Sequence, residues 1–119
     1  MNQEQTEEMK NTKEKIAFTS TGGSMESLLS EQFGRCQYFI IVDPETGKFE
    51  AISNLGEQMQ SGAGPKAAEL IHHHGANVVV TGHVGDKAED VLKRVNIKIA
   101  SGYKGNIKVK DALNEYLSK

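Results

Sequence analysis

Four short stretches of the sequence carry residue types that could do chemistry. The first is Phe33-Gly34-Arg35-Cys36. A glycine lets a backbone approach a ligand closely. A guanidinium offers a fixed positive fork to an anion, and a thiolate suits a soft metal. The same residues also fit a plain structural role, with Phe33 in a core, Gly34 in a turn, Arg35 in solvent and Cys36 as a small buried hydrophobe. The second stretch is Gly62-Ala63-Gly64, with Pro65 following where proline is favoured, at the first position of a helix. Helix starts present free N–H groups and partial positive charge, and so attract anions. Lys66-Ala67 does not complete a nucleotide-binding P-loop, and an ordinary flexible loop before a helix fits equally well.

The third stretch, Gly82-His83-Val84-Gly85-Asp86, follows the apolar run Val78–Val80 and opens a helix. Ligands in open α/β sheets lie beyond the carboxyl ends of strands. His83 is therefore better placed than the other three histidines, although a loop histidine without a ligand is the alternative. Those three are the fourth stretch, His72-His73-His74. Successive helical side chains point about 100° apart, so three in a row cannot converge on one ion. Their expected role is a favourable interaction with a helix C-terminus.

These stretches need elements to position them. Residues 1–13 are polar and charged, and residues 1–14 are read as a disordered tail before a single domain at 15–119. Ile16-Ala17-Phe18 predicts a buried strand. Met25, Leu28, Leu29 and Phe33 recur at helical spacing, with Ser24 as an N-cap, and predict a short helix or helical turn. Tyr38–Val42 is rich in aromatic and β-branched residues and predicts a strand. Asp43-Pro44-Glu45-Thr46-Gly47 is turn chemistry, with Phe49–Ser53 as the return strand of a hairpin. A polar loop at 54–64 leads to a helix with Ala67, Ala68, Leu70 and Ile71 on its apolar face, ended by Gly75. Val78–Val80 then predicts a parallel strand. A helix through Ala88, Val91, Leu92 and Val95 follows, then a strand at Ile97 and Ile99, then a helix from Val109 to Leu117 capped by Asn106. The hairpin followed by βαβα implies a mixed sheet covered by helices. In that topology Arg35, Cys36, His83 and residues 62–64 should surround one open cleft at one edge of the sheet.

Composition narrows the function classes. Fourteen Lys and Arg face sixteen Asp and Glu, a formal net charge of −2, which leaves no basic footprint for nucleic acid. One cysteine makes no intrachain disulfide, so no oxidising compartment is implied. No apolar run approaches the ~20 residues of a membrane span. The N-terminal residues lack the apolar stretch of a secretory signal, and a cytoplasmic location is the expectation.

Taken in order, these segments resemble the dinitrogenase iron–molybdenum cofactor biosynthesis family. It includes NifX-like proteins, the C-terminal part of NifB and the orange protein, which holds a molybdenum–copper–sulfur cluster. The resemblance spans most of residues 15–117. It rests on Lys15-Ile16-Ala17, on Ser30-Glu31-Gln32-Phe33-Gly34-Arg35-Cys36-Gln37-Tyr38-Phe39 and on Gly62-Ala63-Gly64. It continues through Gly75-Ala76-Asn77-Val78-Val79-Val80-Thr81-Gly82-His83-Val84-Gly85-Asp86-Lys87-Ala88, and then Gly102 and Gly105.

The resemblance implies a three-layer α/β/α sandwich with a five-stranded mixed sheet and a ribonuclease H-like motif. It also implies binding or carrying of an anionic metal–sulfur cluster or precursor, of iron–molybdenum–sulfur or molybdenum–copper–sulfur type, without catalysis. Other cofactor-assembly proteins would be its partners, with neither nucleic acid nor membrane. The residues that match the family motifs are Phe33, Gly34, Arg35 and Cys36, then Gly62, Ala63 and Gly64, then Gly82, His83 and Gly85. Gln32 stands where the family often has histidine, and the 54–64 loop lacks the histidines of some members, so Cys36 and His83 are the metal-ligating candidates. Backbone N–H groups at 62–64 and 82–85 could hold sulfides as such groups hold phosphate.

Two other classes compete. A cofactor-free module that regulates a partner protein is compatible with the sequence. A nuclease-like enzyme is not well served, because two-metal chemistry needs several carboxylates. Ile16-Ala17-Phe18 carries no acid, Asp43 lies in a turn, and Asp86 and Asp90 share one helix.

Overall fold

The longest apolar runs in the sequence become the middle of the molecule. The computed structural model describes residues 14–119, and the tail expected at residues 1–14 lies, all but its last residue, outside them. β1 (Ile16–Ser20) is the central strand of a five-stranded sheet in the order β3-β2-β1-β4-β5. β2 (Tyr38–Val42) lies antiparallel beside it, with Ile16 opposite Val42 and Ser20 opposite Tyr38. β3 (Phe49–Ser53) closes the hairpin antiparallel to β2. On the other side β4 (Val78–Val80) pairs in parallel with β1, and β5 (Lys98–Ala100) in parallel with β4. Every residue of β1 and β4 is buried, which is why Ile16–Phe18 and Val78–Val80 read as continuous apolar runs rather than alternating ones, while Thr19 and Ser20 at the end of β1 are buried and polar.

Side chains alternate across a strand, so the sheet feeds two separate cores. Ala17, Ile41 and Val79 pack with α1 (Ala63–His73) and α2 (Asp86–Arg94) on one face. Ile16, Phe18, Ile40 and Val78 pack with α3 (Val109–Leu117) on the other. The three-layer α/β/α arrangement with a mixed sheet is thus the fold. Among the described residues no helix is long and apolar enough to cross a membrane.

Of the short helix or helical turn expected around Met25, Leu28, Leu29 and Phe33, no helix forms, and a turn closes where the Ser27 N–H meets the Ser24 carbonyl at 3.1 Å. That segment runs in turns and isolated bridges, Ser20 to Leu29, Leu28 to Lys108 and Gln32 to His83. The physical reason is in the packing. Leu29 is buried in the α3-side core and Phe33 in the α1/α2-side core. The segment therefore passes from one layer to the other, which one apolar helical stripe cannot do. Ser24 caps no helix; its hydroxyl accepts the Glu26 N–H at 3.2 Å in a local turn. Glu26 in turn reaches Lys110 at 2.8 Å and Lys108 at 3.0 Å. Hydrogen bonding to Lys110, then Lys108, holds its carboxyl below the ordinary range.

Two smaller differences concern helix ends, and a third a loop. α1 begins at Ala63, two residues before Pro65, with Gly62 as a left-handed N-cap at φ 77°. Pro65 still falls in the first turn, where its missing N–H leaves no helical bond unmade. Asn106 does not cap α3; Lys108 holds that position without a side-chain bond. Within the 54–64 loop, Leu55–Gln58 makes a short 3-10 turn. Gly75 ends α1 as expected, with φ 85° and its N–H on the His72 carbonyl at 3.0 Å.

Candidate functional site

The sheet topology delivers five chain segments to one edge. The carboxyl ends of β1, β4 and β5 lie there because these strands are parallel. The start of β2 and the end of β3 join them through the Ser20–Tyr38 and Tyr38–Ser53 pairs. At this edge lies a solvent-open cleft of about 770 Å³. Its walls come from Glu31 to Arg35, from Gly62 to Pro65, from the turn between Gly82 and Ala88, and from Gly102 to Lys104.

Backbone bonds stitch these loops into one rim. His83 N–H donates to the Glu31 carbonyl at 2.7 Å, and Phe33 N–H to the His83 carbonyl at 3.1 Å. Gly102 N–H donates to the Gly82 carbonyl at 2.8 Å, and Tyr103 N–H to the Thr81 carbonyl at 3.2 Å. Glu31 Oε2 accepts the Gly105 N–H at 2.6 Å, which ties the fourth loop to the first. Beneath them, the buried Thr19 hydroxyl donates to the Ser30 carbonyl at 2.6 Å and lies 2.9 Å from the Thr81 hydroxyl. Thr19 has one hydroxyl proton, so Thr81 supplies the proton between the two hydroxyls.

Two helix starts meet the cleft side by side. A Cβ on Gly64 would lie 2.8 Å from the Ala88 Cβ, so the first turns of α1 and α2 touch only because residue 64 has no side chain. Gly34 packs just as closely on the other side, where a Cβ would lie 2.8 Å from Gly64 N. Neither helix start carries a side-chain cap, at Gly62 or at Gly85. The N–H groups of a first turn have no partner within the helix and carry the positive end of its dipole. Around them stand Arg35, Lys87 and Lys104 against Glu31 and Asp86, one formal positive charge in excess with His83 neutral.

The structure brings together Arg35, His83, Gly82, Gly85 and residues 62–64, with Phe33 and Gly34 on the same wall. It leaves Cys36 out. That side chain is 2 % exposed in the α1/α2-side core, with its thiol donating to the Phe33 carbonyl at 3.4 Å. The expectation that Cys36 and His83 flank one open cleft is corrected accordingly. Two residues ahead of β2, the Cys36 side chain follows the apolar layer rather than the rim. Among the described residues no three His, Cys, Asp or Glu side chains gather as a metal-holding group. Arg35 lines the cleft, yet its guanidinium donates to the carbonyls of Met59 and, at 3.3 Å, Gln60.

His72 and His73 are exposed at the far end of α1, and His74 Nδ1 lies 3.2 Å from Glu50 Oε2. Replacing all three by alanine is expected to change anion affinity at the cleft by less than about twofold, the usual scale for surface changes away from a site. An anion titration of the folded triple variant checks this.

The loop from Gly102 to Lys104 also lines the cleft, beyond the site residues that the sequence motifs mark. A signal existed: β5 is also parallel, so its exit loop obeys the carboxyl-end rule that pointed to His83. Lys87 and Asp86 enter with the first turn of α2.

Comparison with known proteins agrees with this architecture. Residues 13–119 match the family model described as dinitrogenase iron-molybdenum cofactor. An uncharacterized protein of Methanocaldococcus jannaschii is 37 % identical over 81 residues, a match covering 66 % of each chain, just under two thirds. The apo form of the orange protein from Desulfovibrio gigas superposes with a TM-score of 0.85 at 32 % identity, covering 89 % of this chain and 88 % of that one. A putative NifB protein from Thermotoga gives a TM-score of 0.77 at 28 % identity, covering 88 % of each chain. With the family model matched along essentially all the described residues, the chain belongs to the dinitrogenase iron-molybdenum cofactor family.

Proposed function

We propose that this protein binds and carries an anionic metal–sulfur unit, an iron–molybdenum cofactor precursor or a molybdenum–copper sulfide, during cofactor assembly in the cytoplasm, and performs no chemical turnover. The observation that carries the reading is the pair of uncapped helix starts, held in contact at Gly64 and Ala88 and opening on one cleft. Family membership and the likeness to the orange protein and to a putative NifB protein support it.

The donor set suits such a cargo in one particular way. Direct metal ligation would need several imidazoles, thiolates or carboxylates gathered together. The cleft offers the His83 imidazole and the carboxylates of Glu31, which holds the Gly105 N–H, and Asp86, but among the described residues no three such side chains converge, and the Cys36 thiol is buried elsewhere. A thiometallate, however, presents sulfides at its periphery and spreads its negative charge over them. Backbone N–H groups of α1 and α2 then hold the sulfides. Lys87 and Lys104 offset charge from the rim, and His83 adds a donor or a single ligand.

The test is anaerobic titration of the purified protein with tetrathiomolybdate, alone and with copper(I) or with iron and sulfide. Molybdenum is then measured after desalting. The expected result is a coloured complex of fixed stoichiometry, with affinity falling as salt rises because rim charges are screened over about 10 Å at 0.1 M. A protein that retains no molybdenum at low salt under any of these conditions would sink the proposal.

A further inference from the structure

One wall of the cleft, the start of α1, is held by a residue that does not line the cleft. Asn54 is 3 % exposed, one of few buried polar residues. Its Nδ2 donates to the carbonyls of Gly34 at 3.1 Å and Cys36 at 2.8 Å, and its Oδ1 accepts the Gly56 N–H at 3.1 Å. The opposite amide orientation would set an oxygen against two carbonyls and an NH₂ against an N–H, so the partners fix this one. The backbone N–H of Asn54 is committed as well, to the Gln37 carbonyl at 3.0 Å.

What the amide joins is informative. Gly34 packs on residues 63 and 64 from one side: a Cβ there would lie 2.8 Å from Gly64 N and 3.2 Å from the Ala63 carbonyl carbon. Gly56 packs on Ala63 from another: a Cβ there would lie 3.3 Å from the Ala63 carbonyl oxygen. Gly34 and Gly56 are thus two jaws around the first residues of α1, and the Asn54 side chain bonds to both. From the solvent side, Arg35 donates to the carbonyls of Met59 and Gln60, fastening the stretch between Gly56 and the N-cap Gly62.

We propose that Asn54 is the positioning residue of the anion site, acting with Arg35 as a two-point latch that holds residues 54–62 and so sets the first turn of α1 against the cleft. The inference rests on the carrier reading for what the site binds, but not for the latch itself. Arg35 accordingly works through the loop it fastens more than through contact with the cargo.

The experiment compares wild type, Asn54→Asp, Asn54→Ala, Arg35→Ala and the Asn54→Ala/Arg35→Ala pair. Native-state amide exchange is measured without ligand, and affinity by tetrathiomolybdate titration. Asn54→Asp is isosteric and keeps the acceptor for Gly56, but it turns an oxygen on two carbonyls in a buried site and is the harsher change. Asn54→Ala loses the three bonds without that repulsion, and Arg35→Ala, at the exposed end of the latch, supplies a folded variant if both are too disruptive. Exchange across residues 55–62 is expected to rise about tenfold in Asn54→Ala and Arg35→Ala, and further in Asn54→Asp, while β1 and β4 stay protected, and affinity to fall about tenfold in the two alanine variants, the scale of one or two lost hydrogen bonds. Because both residues hold one loop, Arg35→Ala should cost less than about twofold more once Asn54 is alanine. Unchanged exchange at 55–62 in the Asn54 variants, or affinity losses that multiply fully, overturns the latch. A wild type that takes up no thiomolybdate overturns the carrier reading instead, and the exchange data then decide the latch by themselves.

Discussion

Gly85→Asp is expected to give a protein that is slightly more stable and no longer holds the anion. Gly85 is the N-cap of α2, with φ −74° and ψ 166°, backbone angles that any residue adopts. A side chain there meets nothing within 4 Å. Aspartate at an N-cap accepts from the N–H groups two and three residues on, here Lys87 and Ala88, and sits well at the positive end of the helix. The gain over glycine is a few tenths of a kcal/mol from capping, plus up to about 1 kcal/mol from restricting the unfolded chain. Those same N–H groups are the ones offered to the cargo, and a carboxylate now repels it. Affinity for tetrathiomolybdate should fall well beyond tenfold, since a hydrogen-bonded charge contributes about 1.5–3 kcal/mol. Gly85→Ala is the control: it adds a methyl group without an acceptor and should bind nearly as wild type. Thermal denaturation and titration of the two variants decide the matter. If Gly85→Asp binds as tightly as wild type, the start of α2 is not part of the site. The absence of a cap at Gly85 is, on this view, stability left unused because the exposed N–H groups have other work.

Much of this architecture is written plainly in the sequence. Tyr38–Val42 and Val78–Val80 can hardly be anything but strands, because β-branched and aromatic runs of that length fit a sheet covered on both faces. Three glycine-bearing turns ahead of or between such elements mark the cleft, since glycine loops at carboxyl ends of parallel strands are where backbone meets ligand. The path from Met25 to Phe33 is harder to read for a definite reason. Helical spacing reports that apolar residues recur, not that they share a destination, and Leu29 and Phe33 go to opposite sides of the sheet. Cys36 shows a related limit. Its chemistry as a residue type suggests a ligand, but its burial depends on which way the chain faces two residues before β2. Asn54 is the least legible of all. It looks like any polar loop residue, and its partners Gly34, Cys36 and Gly56 are visible only once the loop is folded over them. A polar residue fixed by long-range backbone partners leaves no local period to detect.

Gly64→Ala is expected to be damaging, and Ala88→Gly to repair it. In most helices the change from glycine to alanine stabilises, by up to about 1 kcal/mol. Here the new Cβ would lie 2.8 Å from the Ala88 Cβ, an atom fixed to the backbone of α2, and no flexible side chain can swing away. Both residues lie in the tight seam between α1 and α2, and Ala88 is 4 % exposed. Forcing a methyl into such a seam costs about 1–3 kcal/mol, so the overpacking outweighs the helical preference. For a domain of this size that corresponds to a fall in melting temperature on the order of 5–15 °C. Anion affinity should drop with it, because the two helix starts must move apart and their N–H groups no longer converge. In the double variant Gly64→Ala/Ala88→Gly the same pair of residues meets with the methyl on the other helix. The close approach is kept, at the cost of one glycine in the first turn of α2, about 1 kcal/mol at most. Most of the lost melting temperature and most of the affinity should return together. A double variant whose losses equal the sum of the two single changes would show that the seam does not couple the helix starts. Recovery of stability without recovery of binding would separate the fold of the seam from the convergence of its N–H groups, and would remove α1 from the anion site.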